Sequence, residues 1–219
     1  MVKHFPLPRR LVDRVEYVLA ACAGKRVLHV GCAAYASEGD WEATVRSGRW
    51  LHGRIAAVAR SLAGIDSSEP AVKLLRERHG RTEIQLGSAE ALDGFDLSGF
   101  DTIVAGELIE HLPSPGLFLS AVAAGMGPQA TLVVTTSNAF CVRRLLRVAT
   151  GAESVHLDHT AYYSHRTLAR LGEVCGLRVV DQAGYILPRG SPLLPRAIER
   201  CAALVSPNLG EGIVATFSR

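Results

Sequence analysis

The stretch RVLHVGC, residues 26–32, decides the fold class. Its apolar residues run almost without interruption and stop at Gly31, which is the pattern of a buried strand that ends in a tight turn. Because glycine has no side chain, the backbone at Gly31 can turn sharply and approach a ligand closely. We therefore expect residues 26–30 to form a strand inside a parallel sheet, with a nucleotide-binding turn directly after it.

Short apolar runs and amphipathic segments alternate along the rest of the chain. Seven strands are expected, at 26–30, 62–65, 83–86, 101–105, 131–135, 177–180 and 212–217. Helical periodicity covers 9–23, 50–62, 69–79, 115–125, 165–175 and 193–205. Strands that alternate with helices of this length need crossover connections. The sequence thus predicts an α/β fold, a doubly wound and mostly parallel seven-stranded sheet with helices on both faces.

Length and composition limit the classes of protein that remain. A chain of 219 residues is expected to form one domain, 1–219, in which the long connections 36–49 and 137–164 form a cap or lid. The 24 basic and 21 acidic residues form no basic block, so we expect no nucleic-acid partner. The 5 cysteines are widely spaced and no segment is apolar enough to span a bilayer. A cytoplasmic protein without a membrane partner is expected.

Polar residues follow the second and third strands, as Gly31 follows the first. Asp66 ends the second strand, where a carboxylate can accept hydrogen bonds from ribose hydroxyls, although it could instead cap helix 69–79. Residues 87–90, GSAE, follow the third strand and suit the edge of a base. No lysine or arginine lies in these three turns. The pattern predicts a nucleoside-sized site without a group to hold phosphate.

These strand ends resemble a family, the class I S-adenosylmethionine-dependent methyltransferases. The matching segments are VLHVGC at 27–32, GID at 64–66, SAE at 88–90, FDTIVAGELIEHL at 100–112 and ATLVVTTSN at 130–138. The resemblance implies a Rossmann-like fold with S-adenosylmethionine as the cofactor. The cofactor-binding residues that it implies are His29, Gly31, Cys32, Asp66, Ser67, Ser88, Ala89, Glu90 and Gly106. The chain departs from the family at His29, where an acidic residue is usual, and at Ala33 and Tyr35, where glycines are common.

Ionisable residues follow the fourth strand, in Glu107-Leu-Ile-Glu110-His111. If the chain turns helical there, Glu107 and His111 share one face with Glu110 beside them. A neutral acceptor must lose a proton as it is methylated, and histidine titrates near neutral pH. The catalytic candidates are His111 as base, His159 of the long insertion as an equally weighted base, and Glu107 as a neighbouring carboxylate.

A divalent metal is the alternative at this position, and it is not favoured. Glu107, Glu110 and His111 with His156 resemble the two-Glu, two-His site of small-RNA 2′-O-methyltransferases, and the E-x-x-E-H pattern recurs in O-methyltransferases of ubiquinone biosynthesis. Such ligands suit Mg²⁺ or Mn²⁺.

The resulting hypothesis is transfer of a methyl group from S-adenosylmethionine to a small molecule, most simply to a hydroxyl, with nitrogen as the other acceptor. A domain that binds the cofactor without turnover, and a metal-assisted 2′-O-methyltransferase, stay open as alternatives. Arg143, Arg144 and Arg147 are expected to coat a solvated helix, with an anion site as the second interpretation. The oligomeric state is not predicted.

Overall fold

All described strands belong to a single sheet in the computed structural model of the chain, which describes residues 7–33, 44–45, 47–92, 94–153, 155–187 and 200–219. The sheet has 8 strands in the order β1-β7-β8-β6-β5-β2-β3-β4. Their bounds are β1 Leu11–Val12, β2 Arg26–Val30, β3 Ser61–Asp66, β4 Ile84–Leu86, β5 Thr102–Gly106, β6 Thr131–Ser137, β7 Arg178–Tyr185 and β8 Gly212–Ser218. The mostly parallel α/β sheet expected from the sequence is confirmed.

Strand order reverses between β2 and β5, which pair in parallel with Val30 opposite Ala105. From this pair the chain proceeds outward through β3 and β4 on one side and through β6 on the other. Only β8 runs against its neighbours, β6 and β7. In doubly wound sheets ligands bind outside the carboxyl ends of the strands at such a reversal point.

Helices cover both faces of the sheet. The described α-helices are α1 Arg14–Cys22, α2 Leu51–Ala56, α3 Glu69–His79, α4 Pro115–Gly125, α5 Val142–Ala149 and α6 His165–Val174. Leu28 and Val30 of β2 belong to the core that includes Phe118 of α4. Val27 belongs to the core formed with α1 and α2. Adjacent residues of β2 therefore face opposite cores, which explains why the strand is apolar on both sides.

The ends of α3 and α6 follow from local sequence. Ser68 caps α3 by accepting a hydrogen bond from the Ala71 backbone, and Gly80 ends the helix in the left-handed conformation. Ser164 and Thr167 form a reciprocal capping box at the start of α6. Among the described residues, no helix has the length and hydropathy required to cross a lipid bilayer.

Two expected boundaries were wrong. Leu11–Val12 form an eighth strand beside β7 instead of opening a helix, which begins only after the cap residue Asp13. The helix expected over 50–62 ends at Ala56, because Ser61 and the residues after it pair with β2. Backbone pairing between strands thus prevails over helical periodicity there.

Two expectations lie largely outside the described residues. The first long connection, 36–49, is described only at 44–45 and 47–49. Of the helix expected over 193–205, only residues 200–205 are described, and all of them are helical.

Candidate active site

A cleft opens at the carboxyl ends of β2 and β5, where the strand order reverses, and has a volume of about 1410 Å³. Ligand pockets for one small molecule usually measure about 300–1,000 Å³. The cleft therefore has room for a nucleoside cofactor and a second small molecule together.

Most of the cofactor-binding residues implied by the family resemblance line this cleft. They are Gly31, Asp66, Ser67, Ser88, Ala89, Glu90 and Gly106. They come from the ends of β2, β3, β4 and β5, which parallel pairing brings to one edge of the sheet. Neither His29 nor Cys32 is among the described residues that line the cleft.

Gly31 makes the turn after β2 in the conformation expected of it. Its φ is +71°, a left-handed value that side chains disfavour. A Cβ at this position would lie 2.9 Å from Cδ1 of Leu108. The turn is fixed by a 2.8 Å hydrogen bond from the Gly31 nitrogen to the Ile65 carbonyl. Glycine is thus needed for both the backbone angle and the close approach of Leu108.

Asp66 holds the turn after β2 against the start of α3. Its Oδ2 accepts a hydrogen bond of 2.8 Å from the Ala33 nitrogen, and its Oδ1 accepts one of 2.9 Å from the Ser68 nitrogen. Burial raises the pKa of this carboxyl, against the effect of the backbone donors. Asp66 is not the helix cap, because Ser68 has that role. A carboxylate held at the cleft wall between two turns fits a neutral, hydroxyl-rich ligand such as ribose.

His29 lies behind the cofactor turn in a buried pair with His52. The two Nδ1 atoms are 3.3 Å apart and the rings stack with centroids 5.4 Å apart. Burial and the neighbouring His52 lower the pKa of His29, and burial lowers the pKa of His52 to about 4, so the pair favours uncharged rings, one of which can donate its Nδ1–H to the other. His29 therefore supports the turn from behind, and its expected contact with the cofactor stays a prediction that this placement does not favour.

Glu107 takes an unusual backbone conformation directly after β5. Its φ is 51°, the one left-handed value outside glycine among the described residues. Oε1 accepts hydrogen bonds of 2.6 Å from the Tyr185 hydroxyl and 2.9 Å from the Thr135 hydroxyl. Backbone strain of this kind costs about 1–3 kcal/mol and persists only where the surroundings hold it. Here Tyr185 and Thr135 hold Glu107 at the cleft wall.

Glu110 is buried on the far side of the same turn. Its carboxylate accepts hydrogen bonds from the Thr136 hydroxyl at 2.8 Å and from the Ser137 nitrogen at 3.2 Å. Burial and the neighbouring Glu107 raise the pKa of Glu110 to about 7. Only Ile109–His111 are helical, as a 3-10 turn. The helical turn that would place Glu107 and His111 on one face is therefore not formed, because Glu107 lies outside the helical conformation.

Three histidines meet on the wall of the cleft where the turn after β5 meets the long insertion, and we call His111, His156 and His159 the histidine cluster. The rings of His111 and His159 are edge to face with centroids 4.6 Å apart. His156 lies 5.3 Å from His159 and 5.9 Å from His111 between centroids. The Thr160 nitrogen donates a 2.8 Å hydrogen bond to the Glu110 carbonyl, which fastens the long insertion beside His111.

The histidine cluster differs from the metal-ligand set suggested by the sequence. Each ring offers a nitrogen, and the three nitrogens lie within 4.8 Å of one another. Glu107 and Glu110 hold other partners and are not part of this group among the described residues. The structure thus brings His111 and His156 together with the second candidate base, His159, and not with the two carboxylates.

Several residues that line the cleft were missed or misjudged from the sequence. Tyr185 and Arg14 both line it, and each lies far along the chain from Glu107, which they contact. Arg143, Arg144 and Arg147 also line it. Arg143 is paired with Glu211 at 2.8 Å, and Arg144 stacks 4.1 Å from the Tyr162 ring. The helix is exposed as expected, but the three arginines also face the cleft, which the sequence pattern did not decide.

Comparison with known proteins agrees with this geometry. The family described as "Methyltransferase domain" matches residues 4–182. A ubiquinone biosynthesis O-methyltransferase from Thiobacillus denitrificans is 30% identical over 191 residues, which cover 82% of this chain and 74% of the relative. Another from Azoarcus sp. is 27% identical over 183 residues, covering 78% of this chain and 72% of the relative.

Solved structures show the same fold. A SAM-dependent methyltransferase from Archaeoglobus fulgidus superposes with a TM-score of 0.61 at 17% identity, covering 94% of this chain and 91% of that one. The cleft at the strand reversal fits the nucleoside cofactor that these proteins share, since its walls offer a glycine turn and a held carboxylate. The chain therefore belongs to the methyltransferase domain family, and it is an S-adenosylmethionine-dependent methyltransferase.

Proposed function

We propose that the protein methylates a hydroxyl group of a small molecule and that the histidine cluster accepts the hydroxyl proton. The observation that carries the proposal is the placement of His111 and His159 side by side on the cleft wall, with ring centroids 4.6 Å apart. The relatives named ubiquinone biosynthesis O-methyltransferases support an oxygen acceptor.

The cofactor would lie along the ends of β2, β3 and β4. In this arrangement Asp66 accepts hydrogen bonds from the ribose hydroxyls, and Ser88, Ala89 and Glu90 line the adenine. The turn at Gly31 lets the backbone approach the cofactor. The position of each residue on the cleft wall supports these roles.

The transfer itself is an in-line displacement at the methyl carbon. The acceptor oxygen forms the new C–O bond as the C–S bond breaks, and the electron pair of that bond neutralises the sulfonium to give S-adenosylhomocysteine. The hydroxyl proton must leave the oxygen at about the same time. It would pass to a ring nitrogen of His159 or His111.

His159 is suited to accept that proton at neutral pH. Burial, followed by the neighbouring His111 and His156, lowers the pKa of His159, so the ring is neutral near pH 7. Its Nδ1 is buried and has no hydrogen-bond partner among the described residues. Glu107 lies nearby as a carboxylate, held by Tyr185, that would stabilise an imidazolium once it forms.

A labelled-methyl experiment tests the proposal. The protein is incubated with S-adenosylmethionine carrying a ¹³C methyl group and a panel of small phenols, alcohols and matching amines. The expected product is an O-methyl ether, recognised by the carbon shift of its methyl signal. Labelling found only on amines would contradict the oxygen acceptor, and cofactor binding without any transfer across the panel would favour a domain without turnover.

Substitutions at the cluster test the proton transfer. We expect His111→Ala and His159→Ala each to lower kcat by about 10²–10⁴-fold and to leave the Kd for S-adenosylhomocysteine unchanged. His79→Ala, on α3 and outside the cluster, is the control and should keep the full rate. Full rates in both cluster variants would show that the proton leaves by another route.

A further inference from the structure

The histidine cluster has the composition of a metal site that the sequence pattern did not suggest. One nitrogen from each of His111, His156 and His159 lies within 4.8 Å of the other two. Three imidazoles with an open fourth position are a recurring arrangement for catalytic zinc. The question is therefore whether the surroundings of the rings suit an ion.

We propose that His111, His156 and His159 bind one divalent transition-metal ion at the acceptor end of the cleft, with zinc as the best-fitting ion. All three ligands are nitrogens, which suit zinc, cobalt, nickel or copper, whereas Mg²⁺ and Mn²⁺ prefer oxygen. The inference concerns ion binding, and it rests on the proposed function only in placing the acceptor beside the cluster. A ring that holds the ion cannot also accept the hydroxyl proton, so in the ion-bound form the ion, and not a histidine, would promote loss of that proton.

The two carboxylates of the E-x-x-E-H segment are occupied elsewhere, which removes the hard oxygen ligands. Glu107 accepts hydrogen bonds from Tyr185 and Thr135, and Glu110 accepts them from Thr136 and Ser137. Glu110 is 1% exposed. An ion at the histidine cluster would therefore be bound by imidazole nitrogens and by neither of these carboxylates, and it would favour a bound hydroxyl in its deprotonated form.

The positions of His156 and His159 fit the role of ligands. Nδ1 of His156 accepts a hydrogen bond of 3.3 Å from the Asp158 nitrogen, so ion binding through Nε2 would require the ring proton to move to Nδ1, where Oδ2 of Asp158, 3.6 Å away, can accept it. Nδ1 of His159 is buried without a hydrogen-bond partner among the described residues, and a bound ion would satisfy such an atom.

The geometry needs only a small adjustment. Zinc–nitrogen bonds of about 2.0–2.1 Å place tetrahedral ligands roughly 3.4 Å apart. The cluster, with nitrogens up to 4.8 Å apart, must close by up to about 1.4 Å. His156 is half-exposed on the long insertion and can supply that movement by rotation of its side chain.

Metal binding is tested on the full chain without donor or acceptor, so that no outcome depends on methyl transfer. The purification tag is removed, and Cys201, which is exposed, is replaced by serine in every variant so that its thiol cannot capture zinc. Cobalt is titrated as a visible probe of coordination geometry, and zinc is measured by equilibrium dialysis with elemental analysis.

We expect one ion per chain, with the intense visible bands of four-coordinate cobalt, and a loss of affinity of at least tenfold in His156→Ala and in His159→Ala. The matched control His79→Ala should bind the ion as the parent does. Binding of S-adenosylhomocysteine confirms that each variant is folded. Failure of the parent to bind a stoichiometric ion, or equal binding by a variant that lacks all three histidines, would overturn the inference. Absence of methyl transfer by the parent chain in the separate labelled-methyl experiment would instead count against the proposed function and would leave the ion-binding result unaffected.

Discussion

Replacing the buried His165 with leucine should stabilise the protein, and more so in acid. His165 is the first residue of α6 and is 3% exposed. Both ring nitrogens are buried and have no hydrogen-bond partner among the described residues. Burial lowers the pKa of this histidine to about 4, from 6.5. The ring is therefore largely neutral in the folded chain at pH 5.0 and above.

The expected gain in the free energy of unfolding has one part that depends on pH and one that does not. Because the folded pKa is depressed, the full stability is present above pH 6.5 and is lost as the pH falls towards 4. At pH 5.0 the unfolded chain is protonated at this ring and the folded chain is not, which favours unfolding by about 2 kcal/mol at 1.36 kcal/mol per pKa unit. Unpaired buried nitrogens cost about 1–3 kcal/mol each, partly offset by the imperfect fit of leucine.

We therefore expect His165→Leu to raise the free energy of unfolding by about 1–2 kcal/mol at pH 7.5 and by about 2 kcal/mol more at pH 5.0. Urea denaturation at the two pH values measures both differences. His165→Gln is the matched control, since it removes the titration but keeps a buried polar group, so it should gain stability only at pH 5.0. A difference between His165→Leu and the wild type that is the same at both pH values would refute the reasoning.

Three further substitutions test how the cleft is built. Gly31→Ala should destabilise the chain by at least about 1 kcal/mol and weaken cofactor binding, because the new Cβ would contact Leu108 at a residue with a left-handed φ. An unchanged urea denaturation curve and an unchanged affinity would show that the turn accommodates the methyl group without cost. Tyr185→Phe should lower the free energy of unfolding by about 1.5–3 kcal/mol, since its hydroxyl donates to the carboxylate of Glu107, and a thermal melt that does not shift would contradict this. Ser68→Ala should lower the free energy of unfolding by about 1 kcal/mol, measured by urea denaturation, because the α3 cap is lost. A variant as stable as the wild type would mean that another group replaces the cap.

The sheet could be predicted from the sequence because its inner strands are apolar on both faces. β2 and β5 are buried along nearly their whole length, and such short apolar runs are readily recognised. Boundaries were less predictable, since Ser61 and its neighbours have helical periodicity but pair with β2. The two residues of β1 were missed for a similar reason: only β7, which lies far along the chain, makes them a strand.

The cofactor side of the cleft was more predictable than the acceptor side. Parallel strands carry their terminal residues to one edge, so Gly31, Asp66 and Ser88 had to converge. The pairing of Glu107 with Tyr185, and of His29 with His52, depends on contacts between separate elements and leaves no local pattern. The left-handed φ of Glu107 is likewise set by tertiary contacts.

Calorimetric titration of S-adenosylhomocysteine into the wild type and Asp66→Ala tests most directly whether the cleft at the β2–β5 reversal holds the nucleoside. We expect one site per chain in the wild type and an affinity at least tenfold lower in Asp66→Ala, which corresponds to about 1.4 kcal/mol. Circular dichroism confirms that the variant is folded. Equal affinities in the two proteins, or no binding by the wild type, would contradict the account.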